Sequence, residues 1–177
     1  MTFEWILLIL TGVLVAAAVQ DILTLRISNL FPLAIIILFG AWVAVQGVPD
    51  NWWENVVHFL IALSGGMMLF AMRWFGGGDA KLYASCALWF DLAGSITLIF
   101  FVSMAGLILL LLMLGVRRFR RKRRPAGPFD ETTPRKSMQM PYGVAIAAGT
   151  IFAIYWIGVN PPAYEVFDPT AVPIPVS

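Results

Sequence analysis

The sequence has very little charge, and it has only one histidine and one cysteine. Charged residues make up 12% of its 177 residues, whereas about 25% is usual in a soluble domain. The single Cys86 excludes an intrachain disulfide framework and a cysteine-based zinc site. The single His58 leaves no histidine-rich metal site and no serine-protease triad within one chain. We therefore expect no metal and no cofactor.

Long apolar stretches take the place of the missing charge. A helix that spans a bilayer needs about 20 mostly apolar residues, and short polar breaks separate stretches of this kind. Only about nine apolar residues follow Lys81, too few to cross roughly 30 Å unless that helix extends into the preceding glycines. The pattern predicts an all-α membrane protein, a polytopic bundle of about six transmembrane helices. The predicted helices cover Trp5–Gln20, Leu30–Gln46, Trp53–Trp74, Lys81–Phe90, Ala93–Val116 and Pro141–Gly158.

The basic residues fall on one side of this predicted bundle. If six helices alternate in direction, all 12 Lys and Arg residues lie in the first, third and fifth breaks. Loops rich in Lys and Arg stay in the cytoplasm, so we expect cytoplasmic basic breaks and both termini outside. The opposite side holds acidic residues and no basic ones: Glu4, Asp50, Glu54, Asp91, Glu165 and Asp168.

The chain divides into one membrane domain and a short tail. We expect a transmembrane domain over residues 1–159, with a basic cytoplasmic loop at 117–140, and an external tail rich in proline over 160–177. The basic loop directly follows a membrane helix and its run of arginines contains one aromatic residue, Phe119. These features favour binding to anionic lipid and speak against a nucleic-acid partner.

Two aspartates stand out by position. Asp21 ends the first predicted helix, and Asp79 follows the run Gly76-Gly77-Gly78 just before the fourth. Because the second and third helices lead the chain out and back, both aspartates are expected at one membrane face. A carboxylate at the hydrocarbon boundary is expensive and indicates function. Two adjacent carboxyl groups do not both ionise near neutral pH, which leaves a base to activate water and an acid to protonate a leaving nitrogen.

The glycines before Asp79 fit the same chemistry, because they let backbone and substrate approach closely. Position alone, however, also fits a simpler interpretation, in which Asp21 and Asp79 only cap helix ends.

Three segments resemble signatures of the type IV prepilin peptidases. Residues 21–29, Asp-Ile-Leu-Thr-Leu-Arg-Ile-Ser-Asn, are similar to an Asp followed five positions later by Arg-Ile-Pro-Asn. Residues 76–82 resemble the Gly-x-Gly-Asp-x-Lys element shared by these intramembrane aspartyl proteases, and residues 141–147 are similar to the Pro-aromatic-Gly opening of the last helix of the family. Ser28 stands where proline is usual, which removes a rigid dihedral.

The resemblance implies a membrane-embedded aspartic endopeptidase with Asp21 and Asp79 as its catalytic acids. It implies cleavage of the leader peptide of type IV prepilins or pseudopilins at the cytoplasmic face of a bacterial inner membrane. The chain looks like the short branch that serves tight-adherence (Flp-type) pili, without the methyltransferase segment of larger members. Cleavage is therefore implied and methylation is not. The supporting site residues that the resemblance implies are Gly76, Gly78, Arg26, Asn29 and Lys81.

Two other classes of function remain as alternatives. A small ion or proton translocator could use the same carboxylates as a relay, although a relay needs carboxylates spread through the membrane depth and these two share one face. An assembly scaffold without catalysis would leave the glycine-flanked Asp79 unexplained. The sequence makes no prediction of the oligomeric state.

Overall fold

The computed structural model describes residues 2–123 and 140–159, and this part of the chain is helical throughout apart from short connections. The predicted all-α membrane architecture is confirmed, because three helices are long and apolar enough to cross a membrane: Trp5–Thr24, Trp52–Ala71 and Gly94–Val116. Two shorter helices are also apolar, Leu30–Gln46 and Tyr142–Ile157. The helices are α1 (Thr2–Thr24), α2 (Leu30–Gln46), α3 (Trp52–Ala71), α4 (Gly77–Ala87), α5 (Gly94–Arg123) and α6 (Tyr142–Val159).

Several helices extend beyond the apolar stretches that predicted them. α1 continues past Gln20 to Thr24, and α5 continues through the basic run to Arg123, because Arg and Lys are good helix formers. α4 begins at Gly77, four residues before the predicted start at Lys81. Both aspartates therefore lie inside helices, Asp21 in the last turn of α1 and Asp79 in the first turn of α4. Residues 124–139 of the basic loop and the tail 160–177 lie outside the described residues.

α4 occupies the centre of the bundle. It packs against α2, α3 and α6, and most of its residues are buried, including Leu82 and Cys86. These side chains share one core cluster with apolar residues of α1, α2 and α6. Small residues let the helices approach closely, as is common where helices pack in a membrane. Where Gly66 of α3 faces α4, an added Cβ atom would lie 2.9 Å from the Cβ of Ala80.

α4 is too short to cross a bilayer by itself. Its 11 residues extend over about 16 Å, roughly half of the hydrocarbon thickness. The irregular segment 88–93 follows it and leads to the start of α5. Non-helical backbone at membrane depth is tolerated only where the protein satisfies its polar groups.

Side chains from the first half of α3 form hydrogen bonds with the polar backbone groups of this irregular segment. The ring of His58 is buried, and its Nδ1 must carry the hydrogen, since the carbonyl oxygen of Phe90 can only accept. His58 therefore has a structural partner. The three hydrogen bonds are Asn55 Nδ2 to the Leu88 oxygen (3.1 Å), His58 Nδ1 to the Phe90 oxygen (3.0 Å) and the Leu92 amide to Glu54 Oε2 (3.3 Å).

Three helix termini meet at one end of the bundle. α1 ends there, and α4 and α6 begin there. α5 lies antiparallel to α6, with Gly106 facing Ala145 and the backbone at Val102 against Gly149. The basic C-terminal end of α5 therefore extends from the same end of the bundle, whereas Asp50, Glu54 and Asp91 lie at the opposite end.

Candidate active site

A cavity of about 640 Å³ lies at the end of the bundle where α1 ends and α4 and α6 begin. Asp21 and Asp79 both line it. The fold thus brings together two carboxyl groups that are distant in sequence, as the alternation of helix directions predicts. The wall of the same cavity includes the whole glycine run from Gly76 to Gly78.

Asp21 is the less solvent-exposed of the two acids. Its side chain is only 4% exposed. The backbone N–H of Gly143, in the first turn of α6, donates a buried hydrogen bond of 2.7 Å to Asp21 Oδ2. The amide of Val144 stabilises the same negative charge. The carboxylate of α1 is therefore held directly on the N-terminus of α6.

Asp79 lies outside the candidate membrane spans and is half-buried. Burial, together with the smaller effect of the nearby charge of Asp21, raises the pKa of the Asp79 carboxyl from 3.8 to about 6. The side chain curls back over Gly76, where an added Cβ atom would overlap Asp79 Oδ2. Glycine at position 76 therefore leaves room for the carboxyl group.

The supporting residues divide into two groups. Arg26, Gly76 and Gly78 line the cavity. Gly78 also lets the loop after α1 pack closely, because a Cβ atom there would lie 3.1 Å from the Ile27 oxygen. Asn29 and Lys81 are not among the lining residues, and they bind each other instead: Lys81 Nζ donates to Asn29 Oδ1 at 3.1 Å. This exposed contact joins the loop after α1 to α4.

Ser28, which stands where the signature segment usually has proline, stabilises the same loop through hydrogen bonds. Its backbone N–H donates to Gln20 Oε1 at 3.0 Å, and its Oγ accepts from the Leu30 amide at 3.3 Å. Proline has no N–H and could not make the first of these bonds. Hydrogen bonds from Ser28 therefore replace the restriction that a proline ring would impose on the loop.

Sequence reasoning missed three residues around the cavity: Arg73, Tyr142 and Gly143. Arg73 and Leu25 both line the cavity and both have positive φ angles, 62° and 53°. Such a conformation costs a non-glycine residue of order 1–3 kcal/mol and clusters at functional sites. The ring of Tyr142 lies 5.8 Å from that of Phe75, centroid to centroid, so it joins α6 to the segment before α4.

The signals for these residues were weak or absent. The Pro-Tyr-Gly segment at 141–143 was visible as part of the resemblance, but the amide that meets Asp21 is a backbone group that every residue except proline carries. Arg73 stands close to the glycine run, yet its position in the sequence equally fits a cytoplasmic anchor.

A family model described as the type IV leader peptidase family matches residues 8–111. This range covers more than half of the chain, includes both aspartates and the glycine run, and ends before α6. It confirms the resemblance recognised from the signature segments. No curated protein and no solved structure matches the chain.

Proposed function

Because the chain belongs to the type IV leader peptidase family, we propose that it is an aspartic endopeptidase that removes the leader peptides of type IV, Flp-like prepilins or pseudopilins. One observation carries the aspartic assignment. Asp21 and Asp79, from two different helices, line the same cavity beside a glycine-rich wall. Membership of the family makes the chain a peptidase, and this pair supplies the groups that peptide hydrolysis requires.

The proposed reaction needs only the two carboxyl groups and a water molecule. An ionised carboxylate takes a proton from water as the water oxygen attacks the carbonyl carbon of the scissile peptide bond. The carbon–nitrogen bond then breaks, and a protonated carboxyl group gives its proton to the departing nitrogen. One carboxyl group thus gains a proton from water and the other loses a proton to the leaving group, so the reaction requires no cofactor.

The glycine-lined wall fits a peptide substrate. Gly76, Gly77 and Gly78 present backbone to the cavity next to Asp79. A stretched peptide can approach exposed backbone of this kind closely, since the missing side chains of these glycines would point into the protein, towards Asp79, Phe70 and Ile27. We propose that the substrate lies along this wall with its scissile bond between the two aspartates.

The basic end of the bundle sets the proposed location of cleavage. Arg26 and Arg73 line the cavity and Lys81 lies beside it, and the basic end of α5 points the same way. By the rule that basic loops remain in the cytoplasm, cleavage takes place at the cytoplasmic face of a bacterial inner membrane. Anionic lipid is the proposed partner of the basic loop 117–140.

Co-expression with a Flp-type prepilin tests this function. We expect the prepilin to shift to the size of the leaderless product only when the protein is present. Mass spectrometry should show a new N-terminus at the end of the leader peptide. A prepilin of unchanged size beside well-inserted protein would contradict the proposal. Proton flux through vesicles containing the protein, without cleavage, would favour the translocator instead.

A further inference from the structure

The first turn of α6 contacts the Asp21 carboxyl group directly. The Gly143 amide lies 2.7 Å from Asp21 Oδ2. A Cβ atom added to Gly143 would lie 2.8 Å from the same oxygen, 3.1 Å from Asp21 Cγ and 2.6 Å from Ile27 Cδ1. Real Cβ atoms essentially never approach other heavy atoms closer than 3.0 Å. An alanine at position 143 would require the ends of the Asp21 and Ile27 side chains to move, because they already fill the space that a Cβ atom would need.

This contact makes the surroundings of the two acids unequal. A backbone N–H that donates to a carboxyl group favours its ionised form, and the positive end of the dipole of the 18-residue α6 acts in the same sense. Burial acts against ionisation at both acids. At Asp21 the Gly143 and Val144 amides oppose this effect, whereas at Asp79, in the first turn of the much shorter α4, the charge of Asp21 adds to it and the pKa is raised to about 6. Environments that separate two acids in this way assign one as base and the other as acid.

We propose that Gly143 is a positioning residue: its amide and its lack of a side chain hold Asp21 ionised and oriented, so that Asp21 is the base that accepts the proton of water and Asp79 is the acid that protonates the leaving nitrogen. This inference rests on the proposed function and assigns the roles that the function left open. It also adds α6, which lies outside residues 8–111, to the catalytic arrangement.

The pH dependence of cleavage can test this inference, because the other ionisable groups around Asp21 do not interfere with it. Asp79 from α4, Arg26 from the loop after α1, Arg73 from the segment before α4 and Tyr142 from α6 line the same cavity. Carboxyl and imidazole groups are the side chains that ordinarily change charge between about pH 4 and pH 8, and among the lining residues only Asp21 and Asp79 carry such a group. Between about pH 4 and pH 8, the pH dependence of cleavage therefore reports the pair of aspartates, as apparent values of the pair.

Gly143→Ala is the first test, with prepilin cleavage by purified protein measured across this pH range. The added methyl group moves the carboxylate off the amide, so Asp21 retains its proton to higher pH. We expect the acidic limb of the pH profile to move to higher pH. We expect kcat to fall by about 100-fold, the loss expected of a displacement near 1 Å, with little change in KM. An unchanged rate and profile would overturn the inference.

Two further variants separate positioning from simple damage to packing. Gly149→Ala, in the same helix, places a methyl group against the backbone at Val102 of α5 and far from Asp21. We expect it to destabilise the protein without moving the acidic limb. An equal shift of the limb in Gly149→Ala would show that any disturbance of α6 has this effect and would overturn the inference. Gly40→Ala, which faces open space, gives the baseline for a glycine-to-alanine change.

The double variant Ile27→Val with Gly143→Ala removes the closest of the new contacts, to Ile27 Cδ1, and keeps the contact with Asp21. It also provides the test if Gly143→Ala alone does not insert. We expect the acidic limb of the pH profile of the double variant to stay at higher pH than that of Ile27→Val measured alone. Return to the profile of Ile27→Val would mean that crowding of Ile27 explained the effect, and would overturn the inference.

The outcomes also distinguish this inference from the function beneath it. A wild-type protein that cleaves no prepilin would remove both. A wild-type protein whose cleavage depends on Asp21 and Asp79, while Gly143→Ala keeps the wild-type rate and profile, would remove only the role of Gly143.

Discussion

At the scale of single residues, the proposed chemistry depends on two carboxyl groups with different neighbours. Asp21 is buried and accepts a hydrogen bond from the Gly143 amide. Asp79 is half-buried, folded over Gly76, and near the charge of Asp21. The glycines at 76 and 143 thus have the same kind of task at two different helices, since each leaves space that a carboxyl group occupies.

Replacing either aspartate with asparagine tests the pair directly. Asparagine keeps the size and an accepting oxygen, so Asp21→Asn can still accept from the Gly143 amide, but it exchanges no proton. We expect each variant to lose prepilin cleavage while inserting normally. The double variant should be no worse than either single one, because residues that act as a unit lose nearly everything on the first deletion.

The measurement is prepilin processing at matched levels of inserted protein. Aspartates that only cap helix ends would tolerate this change, since an amide oxygen can replace a carboxylate as a cap. Retained processing in either single variant would therefore exclude the aspartyl-protease mechanism.

The pH dependence of cleavage should follow the proton on Asp79. The pKa of Asp79 is raised to about 6, so the protonated form that acts as acid is present below that value and is lost above it. We expect kcat/KM to fall as pH rises through about 6, towards tenfold per pH unit, and to fall again at low pH as the base becomes protonated. Rates in buffers from about pH 4 to pH 8 test this. A flat profile over that range would contradict a carboxylic acid in the role of proton donor.

At the scale of helices, the site depends on α4, which is short and yet central. Its buried small residues allow α3 to approach at Gly66, and the polar side chains Asn55 and His58 of α3 bind the irregular segment that follows α4. α3 therefore holds both ends of α4, and with them the position of Asp79 in its first turn.

Neighbouring glycines in α3 provide a matched test of this packing. Gly66→Ala would put a Cβ atom 2.9 Å from the Cβ of Ala80, whereas Gly65→Ala has nothing within 4 Å. We expect Gly66→Ala to lower the free energy of unfolding by about 1–3 kcal/mol through overpacking. Gly65→Ala should be neutral or stabilising, because alanine is the better helix former.

Unfolding in mixed detergent, followed by circular dichroism, measures both variants. Adding Ala80→Gly to Gly66→Ala removes the overlapping methyl group and should recover part of the loss. Equal stability of the Gly65 and Gly66 variants would show that α3 and α4 do not pack as closely as the structure has them.

At the scale of the whole molecule, charge divides along the bundle axis. The end that carries the cavity also carries Arg26, Arg73 and Lys81, and the opposite end carries acidic residues in the segments before α3 and α5. The same division that orients a membrane protein therefore places the aspartates on the proposed cytoplasmic side.

Single-cysteine labelling tests this orientation. The free Cys86 is fully buried, and a Cys86→Ala background removes this thiol while leaving the neighbouring Ser85 and Thr150 hydroxyls in place. A cysteine at Val48, which is 65% exposed, and one in the tail after Asn160 should react with an impermeant reagent added outside the cell. Cysteines within 117–136 should react only after the membrane is permeabilised. The reverse pattern would overturn the proposed topology.

Local properties of the sequence were enough to predict much of this protein. Apolar stretches located the helices, since hydropathy needs only a window of neighbouring residues, and the motifs around Asp21 and Asp79 identified the family. Helix ends were less predictable: α5 extends through the basic run, because arginine and lysine form helix readily and hydropathy records only the apolar part.

The arrangement around the two acids depended on packing between distant segments. The Gly143 amide and Asp21 are 122 residues apart in sequence. Almost every residue has a backbone N–H, so the sequence does not show which acceptor a given N–H binds. The same holds for Lys81 with Asn29 and for His58 with the Phe90 carbonyl. The motifs identify the groups that can carry a proton, but helix packing determines which neighbours surround each group and so which group is protonated. This is because electrostatic and hydrogen-bonding effects act over a few ångströms in space, whatever the separation along the chain.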